Sequence, residues 1–217
     1  MKNLCNNLIK DTKGVAITAF LLLLIPLSLL FTISLNETAR FSRVADKTLN
    51  YAVIDAVKSA AMMVDPESQA QGNPHIAYER AYDEFINSLF YNLSLNSYGE
   101  GNTGSSLSSA EGIKFWMLVY NGDDVYHGYT ENFKVASYAL YTNASGSLTE
   151  YITDTIVGFP RTLYVGEDGI TENSENNKRV VLNEPGVLAV VQAKGRTVLA
   201  EKEETVTRWA YGKIVKK

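Results

Sequence analysis

The chain has 217 residues, of which 46% are hydrophobic, 11% aromatic and 20% charged, with a net charge of −4. That composition belongs to a folded protein with room for one sizeable domain or two small ones. Positive charge gathers at the two ends and no basic stripe interleaved with aromatics occurs, which sets nucleic-acid binding aside.

Residues 1–14 form a short leader in which Lys2, Lys10 and Lys13 outweigh Asp11. It holds the single cysteine, Cys5, so the rest of the chain has no disulfide and its core alone must hold the fold. Lipidation of Cys5 requires a leader that is cytoplasmic and retained; an incidental thiol in a short tail is the simpler reading. Residues 15–35 follow without a charge and are dominated by Leu, Ile and Phe, about the length a helix needs to cross roughly 30 Å of hydrocarbon. The positive flank precedes the run and Asn36-Glu37-Thr38 follows it, which predicts a cytoplasmic N-terminus and an extracytoplasmic remainder. A cleaved secretory signal would have a shorter apolar region and a better small-x-small site than Thr32-Ile33-Ser34, so an anchor is preferred.

No Gly or Pro occurs from residue 36 to 64, and Val44, Leu49, Val53, Val57, Ala60 and Val64 recur at helical spacing. The pattern predicts one helix from about residue 15 to 64, stopped by Asp65-Pro66, roughly 75 Å long at 1.5 Å per residue. Its first half is expected in lipid, with a kink or local loosening at Pro26, and its second half (36–64) under an outer domain. The small residues Ala39, Ala45, Ala52, Ala56, Ala60 and Ala61 permit close approach of its own domain or of a neighbouring helix.

A turn-rich stretch, 65–74, leads into a second helix over 75–93 with Ile76, Ala77, Ala81, Phe85, Leu89 and Leu93 on one face. The Gly/Ser-rich segment 96–112 reads as a loop. Strands follow. Residues 114–120 and 125–129 around Asn121-Gly122 form a hairpin, and further strands are expected at 134–141, 148–156, 162–165, 179–182, 187–193, 197–200 and 205–215. Lys194-Gly195-Arg196 and residues 183–186 are expected as turns between neighbouring strands. The fold class expected is α+β, with an antiparallel β-rich outer domain (65–217) packed on the outer part of the long helix.

A basic leader ending in Gly, an apolar run continuing into one long helix and a strand-rich outer domain together resemble type IV pilin-like proteins, most closely the TadE/TadG-like branch of Tad/Flp pili. Lys13-Gly14 is followed by Val15-Ala16-Ile17-Thr18-Ala19-Phe20 and then Pro26. Gly14, the small residues, Phe20 and Pro26 correspond to the family pattern, with Pro26 about one place late. The resemblance covers about residues 10–65 and implies cleavage between Gly14 and Val15 by a prepilin peptidase, with other pilin-like subunits or pilus assembly proteins as partners. Ala19 stands where the family usually has a Glu that neutralises the new amine of a neighbouring subunit; an unpaired charge there is costly. That departure favours a minor or tip subunit, or a protein that is never cleaved, over a bulk pilin. The alternative is a permanently anchored single-pass envelope protein whose outer domain binds a partner.

No catalytic arrangement emerges, and the expectation is a non-enzymatic protein without a cofactor. His75 and His127 are far apart in sequence, and no His/Cys/Asp spacing supplies three or four converging ligands. Ser105, Ser106, Ser108 and Ser109 lack an accompanying base. Two acidic clusters, Asp123-Asp124 and Glu167-Asp168 with Glu172 and Glu175, read as solvated turns, with calcium at the second as the alternative. Asn36, Asn92 and Asn143 head N-glycosylation sequons that arise readily by chance. The 13 Tyr suit half-buried sheet positions, or an exposed contact surface if they cluster on one face.

Overall fold

In the computed structural model the chain is described over residues 2–97, 101–102, 105, 107, 113–123, 125–132, 149–152, 158–167, 169–171, 177–195 and 204–214. In the first helix, side chains are described from Phe20 onward except at 34 and 37–42, and β2 and β3 are described essentially as backbone. The expected strands at 134–141 and 197–200, most of the Ser-rich loop and the Asn143 sequon lie outside these residues.

Helix α1 runs without interruption from Lys2 to Ala61, passing through Pro26. Over its last third it buries Ala45, Leu49, Ala52, Val53, Ala56, Val57, Ala60 and Ala61. Those positions recur at three and four, so they lie along one stripe of the helix. Val44, expected on that stripe, is exposed because it falls one residue out of phase with Ala45 and Leu49.

The expectation that the first half of this helix spans a membrane is corrected: among the described residues no helix is long and apolar enough to cross one. The described apolar side chains begin at Phe20 and end at Leu35.

The helix ends at Ala61 rather than Val64, because residues 62–65 leave it to form extended structure. Val64 makes an antiparallel bridge to Ile76, flanked by hydrogen bonds from Asp65 N to His75 O (2.8 Å) and from Ala77 N to Met63 O (2.8 Å). Between them Asp65 caps the short helix α2 (Pro66–Ala70), its Oδ2 accepting from Ser68 N at 2.9 Å, with Pro66 in the first turn where its missing N–H costs nothing. Helix α3 (Tyr78–Leu93) starts three residues later than the expected helix, since His75 and Ile76 are held in that extended pair. Its buried stripe, Ala81, Phe85, Leu89 and Leu93, packs on α1.

Eight strands are described: β1 (Ile113–Tyr120), β2 (Val125–Asn132), β3 (Thr149–Ile152), β4 (Arg161–Gly166), β5 (Gly169–Thr171), β6 (Lys178–Leu182), β7 (Gly186–Gly195) and β8 (Glu204–Lys213). They form two antiparallel sheets, of order β3-β2-β1-β7-β8 and β5-β4-β6. The antiparallel β-rich domain expected from sequence thus holds two sheets. The five-stranded sheet is the middle layer of three, with α1 and α3 on one face and the small sheet on the other. Phe115, Met117, Val119, Val187, Ala189 and Val191 point to the helices, whereas Trp116, Leu118, Tyr120, Leu188 and Val190 point to the small sheet. Alternation along a strand sends successive side chains to opposite faces, and β1 and β7 read as continuous apolar runs because both faces are covered. Phe115 meets the ring of Phe85 on α3 at 5.4 Å between centroids.

Residues 183–186 link β6 to β7 and carry the chain from one sheet to the other, so they do not join neighbouring strands. Lys194 and Gly195 are not a turn; they extend β7, paired with Thr205 and Glu204 of β8. Helix α1 lies across β7 and β8, and Gly212 of β8 lets it come close: a Cβ there would stand 2.8 Å from Val57 Cγ1 and 2.9 Å from Val57 O.

Asn121, expected to serve the hairpin turn, has a larger task. Buried at 5% exposure, it accepts from Ile76 N (2.9 Å) through Oδ1 and donates from Nδ2 to Ile76 O (3.1 Å). One side chain thereby ties the α1–α3 connection to the end of β1. In Asn121→Ala both backbone groups of Ile76 lose their partner in a buried place, and stability falls by roughly 2 to 6 kcal/mol at 1 to 3 for each orphaned group. Urea unfolding checks this; a loss under about 0.5 kcal/mol would show that the clamp carries no weight.

Tyr211 on β8 donates its hydroxyl to Glu184 O at 2.8 Å, and burial, aided by the Glu184 charge, pushes its pKa up to about 12 against an ordinary 10. Below pH 10 both states keep the proton and stability is independent of this group. Between about 10 and 12 only the unfolded chain loses it, so stability falls as pH rises. Urea midpoints across that window should fall less steeply for Tyr211→Phe than for the native chain; parallel curves would refute the assignment.

Candidate functional site

Two features of the surface stand apart from the folded head: the apolar stem of α1, and the cleft where α1 enters the head.

Twelve large hydrophobic residues lie between Phe20 and Leu35 of the stem, each 43–72% exposed, with Leu22 and Leu23 near the top of that range. They occupy every side of the helix, not a stripe, and every described side chain from 20 to 36 is exposed. Fully burying one such side chain is worth about 1.5–3 kcal/mol, so covering the set is worth on the order of 10 kcal/mol or more. Monomeric proteins rarely leave apolar surface on this scale open to water.

Two polar side chains within the run, Ser28 and Thr32, are turned inward on the helix. Ser28 Oγ donates to Ile25 O and Thr32 Oγ1 to Ser28 O, both at 2.8 Å. Such back-bonding removes the hydroxyl donors from competition with water. The stem thus presents an almost wholly apolar cylinder outward, suited to helices or another apolar surrounding.

Of the sites expected from sequence, Gly14, Val15, Ala19, Phe20 and Pro26 all lie within α1. Phe20 is 63% exposed; the side chains of the first three are not among those described. Glu167 is exposed just after β4, while Asp168, Glu172 and Glu175 lie outside the described residues, as does Asp124. No group of three or more His, Cys, Asp or Glu side chains is placed to hold a metal among the described residues. Asp123 is half-buried and accepts from Tyr78 Oη at 3.3 Å, a structural tie between the turn after β1 and α3. His75 lies in the α1–α3 connection, where its Nε2 is 3.2 Å from Asn73 Nδ2, and His127 is on β2 opposite Val119.

The cleft was not visible in the sequence. It encloses about 410 Å³ between Arg43 and Asp46 of α1, the Thr205–Arg208 stretch of β8 and Glu167 beyond β4. Arg208 pairs with Asp46 and donates from Nη1 to its neighbour Thr207 O at 2.7 Å, so both charges are used within the head. Gln192 of β7 donates its side-chain amide to Glu167 O and fixes that turn. Arg43 and the Glu167 carboxylate have no ion-pair partner among the described residues. The elements that meet here come from three distant parts of the chain, so no local pattern signals them.

Compared with protein-family models, curated proteins and solved structures, the chain finds no match in any of the three.

The two parts of α1 should respond oppositely to truncation. Leu49→Ala, in the buried stripe, should cost about 2–5 kcal/mol. Leu23→Ala, in the stem, should leave the unfolding midpoint of the head within about one degree while reducing self-association seen by sedimentation. A stem substitution that destabilised the head as strongly as Leu49→Ala would contradict the division.

Proposed function

We propose that this chain is a pilin-like, non-enzymatic subunit or assembly component of a bacterial surface pilus, minor or tip in position, assembling through the apolar part of its long N-terminal helix. The observation that carries this reading is the single helix with two unlike parts. Residues 20–35 expose apolar side chains on every side, and the same helix, unbroken, becomes the core of a three-layer head. A helix built in this way transmits the position of the stem rigidly to the head, as a subunit in a stacked assembly requires. Lys13-Gly14 before Val15, then Phe20 and Pro26, supply the processing point and the local pattern that resemble the TadE/TadG-like branch.

Ala19 fits the same reading. A stem with no acid in its apolar run does not neutralise the amine of a neighbour, which suits a subunit at the end of a stack or in low number. Its partners are other pilin-like subunits or pilus assembly proteins, with a prepilin peptidase acting before assembly and the head lying outside the cell.

The test is the N-terminal residue of the protein purified from its own host. The expected residue is Val15, with cleavage abolished in a strain lacking its prepilin peptidase. Met1, with Lys10 and Lys13 still attached, would overturn the processing step and leave a permanently anchored protein as the better account.

A further inference from the structure

Strand β8 closes one end of the five-stranded sheet, and among the described residues nothing pairs with its outer edge. Its pairing with β7 runs along its whole length without a bulge, and it contains no Pro. Ile214 N donates to Pro185 O at 2.9 Å, which fixes the phase of that ladder. Hydrogen-bonded and non-hydrogen-bonded pairs alternate in an antiparallel ladder, so Arg208, Ala210 and Gly212 turn their N–H and C=O groups to β7. Thr205, Thr207, Trp209, Tyr211 and Lys213 turn theirs outward. Thr205, Trp209 and Lys213 are exposed, as an open edge requires. Folded proteins usually blunt such an edge. Strand β8 does so at one point, where Arg208, held by Asp46, donates from Nη1 to Thr207 O at 2.7 Å. From Trp209 to Lys213 the row of donors and acceptors stays open.

We propose that the outer edge of β8 from Trp209 to Lys213 is a docking site for an extended, uncharged segment of a different protein, which adds to the sheet as a further strand. Alternating outward N–H and C=O groups are matched by the main chain of another strand. The charges beside the edge are already used, Arg208 by Asp46 and Lys213 by Glu184 at 3.0 Å, so a charged residue on the incoming strand finds no free partner there. Trp209, 36% exposed and paired with Val190, stands on the small-sheet face beside the edge and offers a flat apolar anchor. A second copy of the chain does not fit. Asp46 lies at Arg208 and Val57 at Gly212, so about 16 Å of α1 runs alongside about 14 Å of β8 in the same direction. Two β8 edges joined antiparallel would point their stems in opposite directions. Joined in parallel with the stems level, they would set N–H against N–H and C=O against C=O. Stems share one direction whether the chain is assembled or anchored, so the inference does not depend on the pilin-like reading.

Amide exchange, read by NMR on the full-length chain in detergent micelles, tests the proposal. In the chain alone the amides of Trp209, Tyr211 and Lys213 should exchange at least ten-fold faster than those of Arg208, Ala210 and Gly212. A seven-residue peptide of alternating threonine and valine should slow the first three at least five-fold and leave the others unchanged. The same peptide N-methylated at alternate residues, which removes the donors from one edge, should have no effect. Lys213→Ala should retain the response. Lys213→Pro removes an N–H that faces away from β7, and should weaken the response about ten-fold without moving the unfolding midpoint. Slow exchange of Trp209, Tyr211 and Lys213 before peptide is added overturns the proposal: if independent of concentration, the chain covers its own edge, and if dependent on it, a second copy does. An equal response to the N-methylated peptide, or a stronger one when glutamate replaces threonine, overturns it as well.

Discussion

A single Cβ atom on Gly212 would lie 2.9 Å from the carbonyl oxygen of Val57, and that near-contact of helix and strand backbones sets the geometry of the head. With it, α1 packs closely on β7 and β8, and its small residues Ala52, Ala56, Ala60 and Ala61 are buried in the core it shares with the sheet and α3. Helix α3 fills the remaining space on the same face, with Phe85 against Phe115. The opposite face of the same strands is then left to Trp116, Leu118, Tyr120, Leu188 and Val190, which the three-stranded sheet covers. A helix held this closely cannot rotate relative to the head, so the direction of the apolar stem is set by the packing of the domain. That rigidity is what links the architecture of the head to the role proposed for the stem.

Much of the helical part was legible in the sequence, because helix needs only local information. A Gly- and Pro-free stretch with residues at three and four predicts a helix, and α1 is one, although Ala45 rather than Val44 lies on the buried stripe. The end of the helix was misread because Val64 pairs with Ile76, a contact that the intervening turn of α2 brings about and no local signal announces. The strands β1 and β7 were legible as apolar runs, but their meaning was not: a run buried on both faces implies a second layer, and neither run says what forms it. The strands β4, β5 and β6 are short and pair only among themselves, so pattern alone did not assign them to a separate sheet. Lys194-Gly195 has the composition of a turn, and pairing with β8 along the whole of β7 overrides that preference.

The candidate surfaces divide in the same way. The stem is a property of consecutive residues and was visible at once, although among the described residues no helix is long and apolar enough to cross a membrane. The cleft depends on Arg43, Glu167 and Arg208 being brought together by three elements, and no periodicity relates them. Asn121 is an intermediate case: Asn-Gly marked a turn correctly, but the buried pair of hydrogen bonds to Ile76 required the α1–α3 connection to be in place.

The central claim is that one helix serves as the core of the head at one end and as an assembly surface at the other. The most direct measurement of it is the location of the chain in its native host after filaments are sheared from the cell surface. The account predicts that the chain is recovered in the sheared filament fraction, and that polar substitution along residues 20–35 removes it from that fraction while the head remains folded. Recovery solely with the cell bodies, or retention in filaments despite such substitutions, would contradict it.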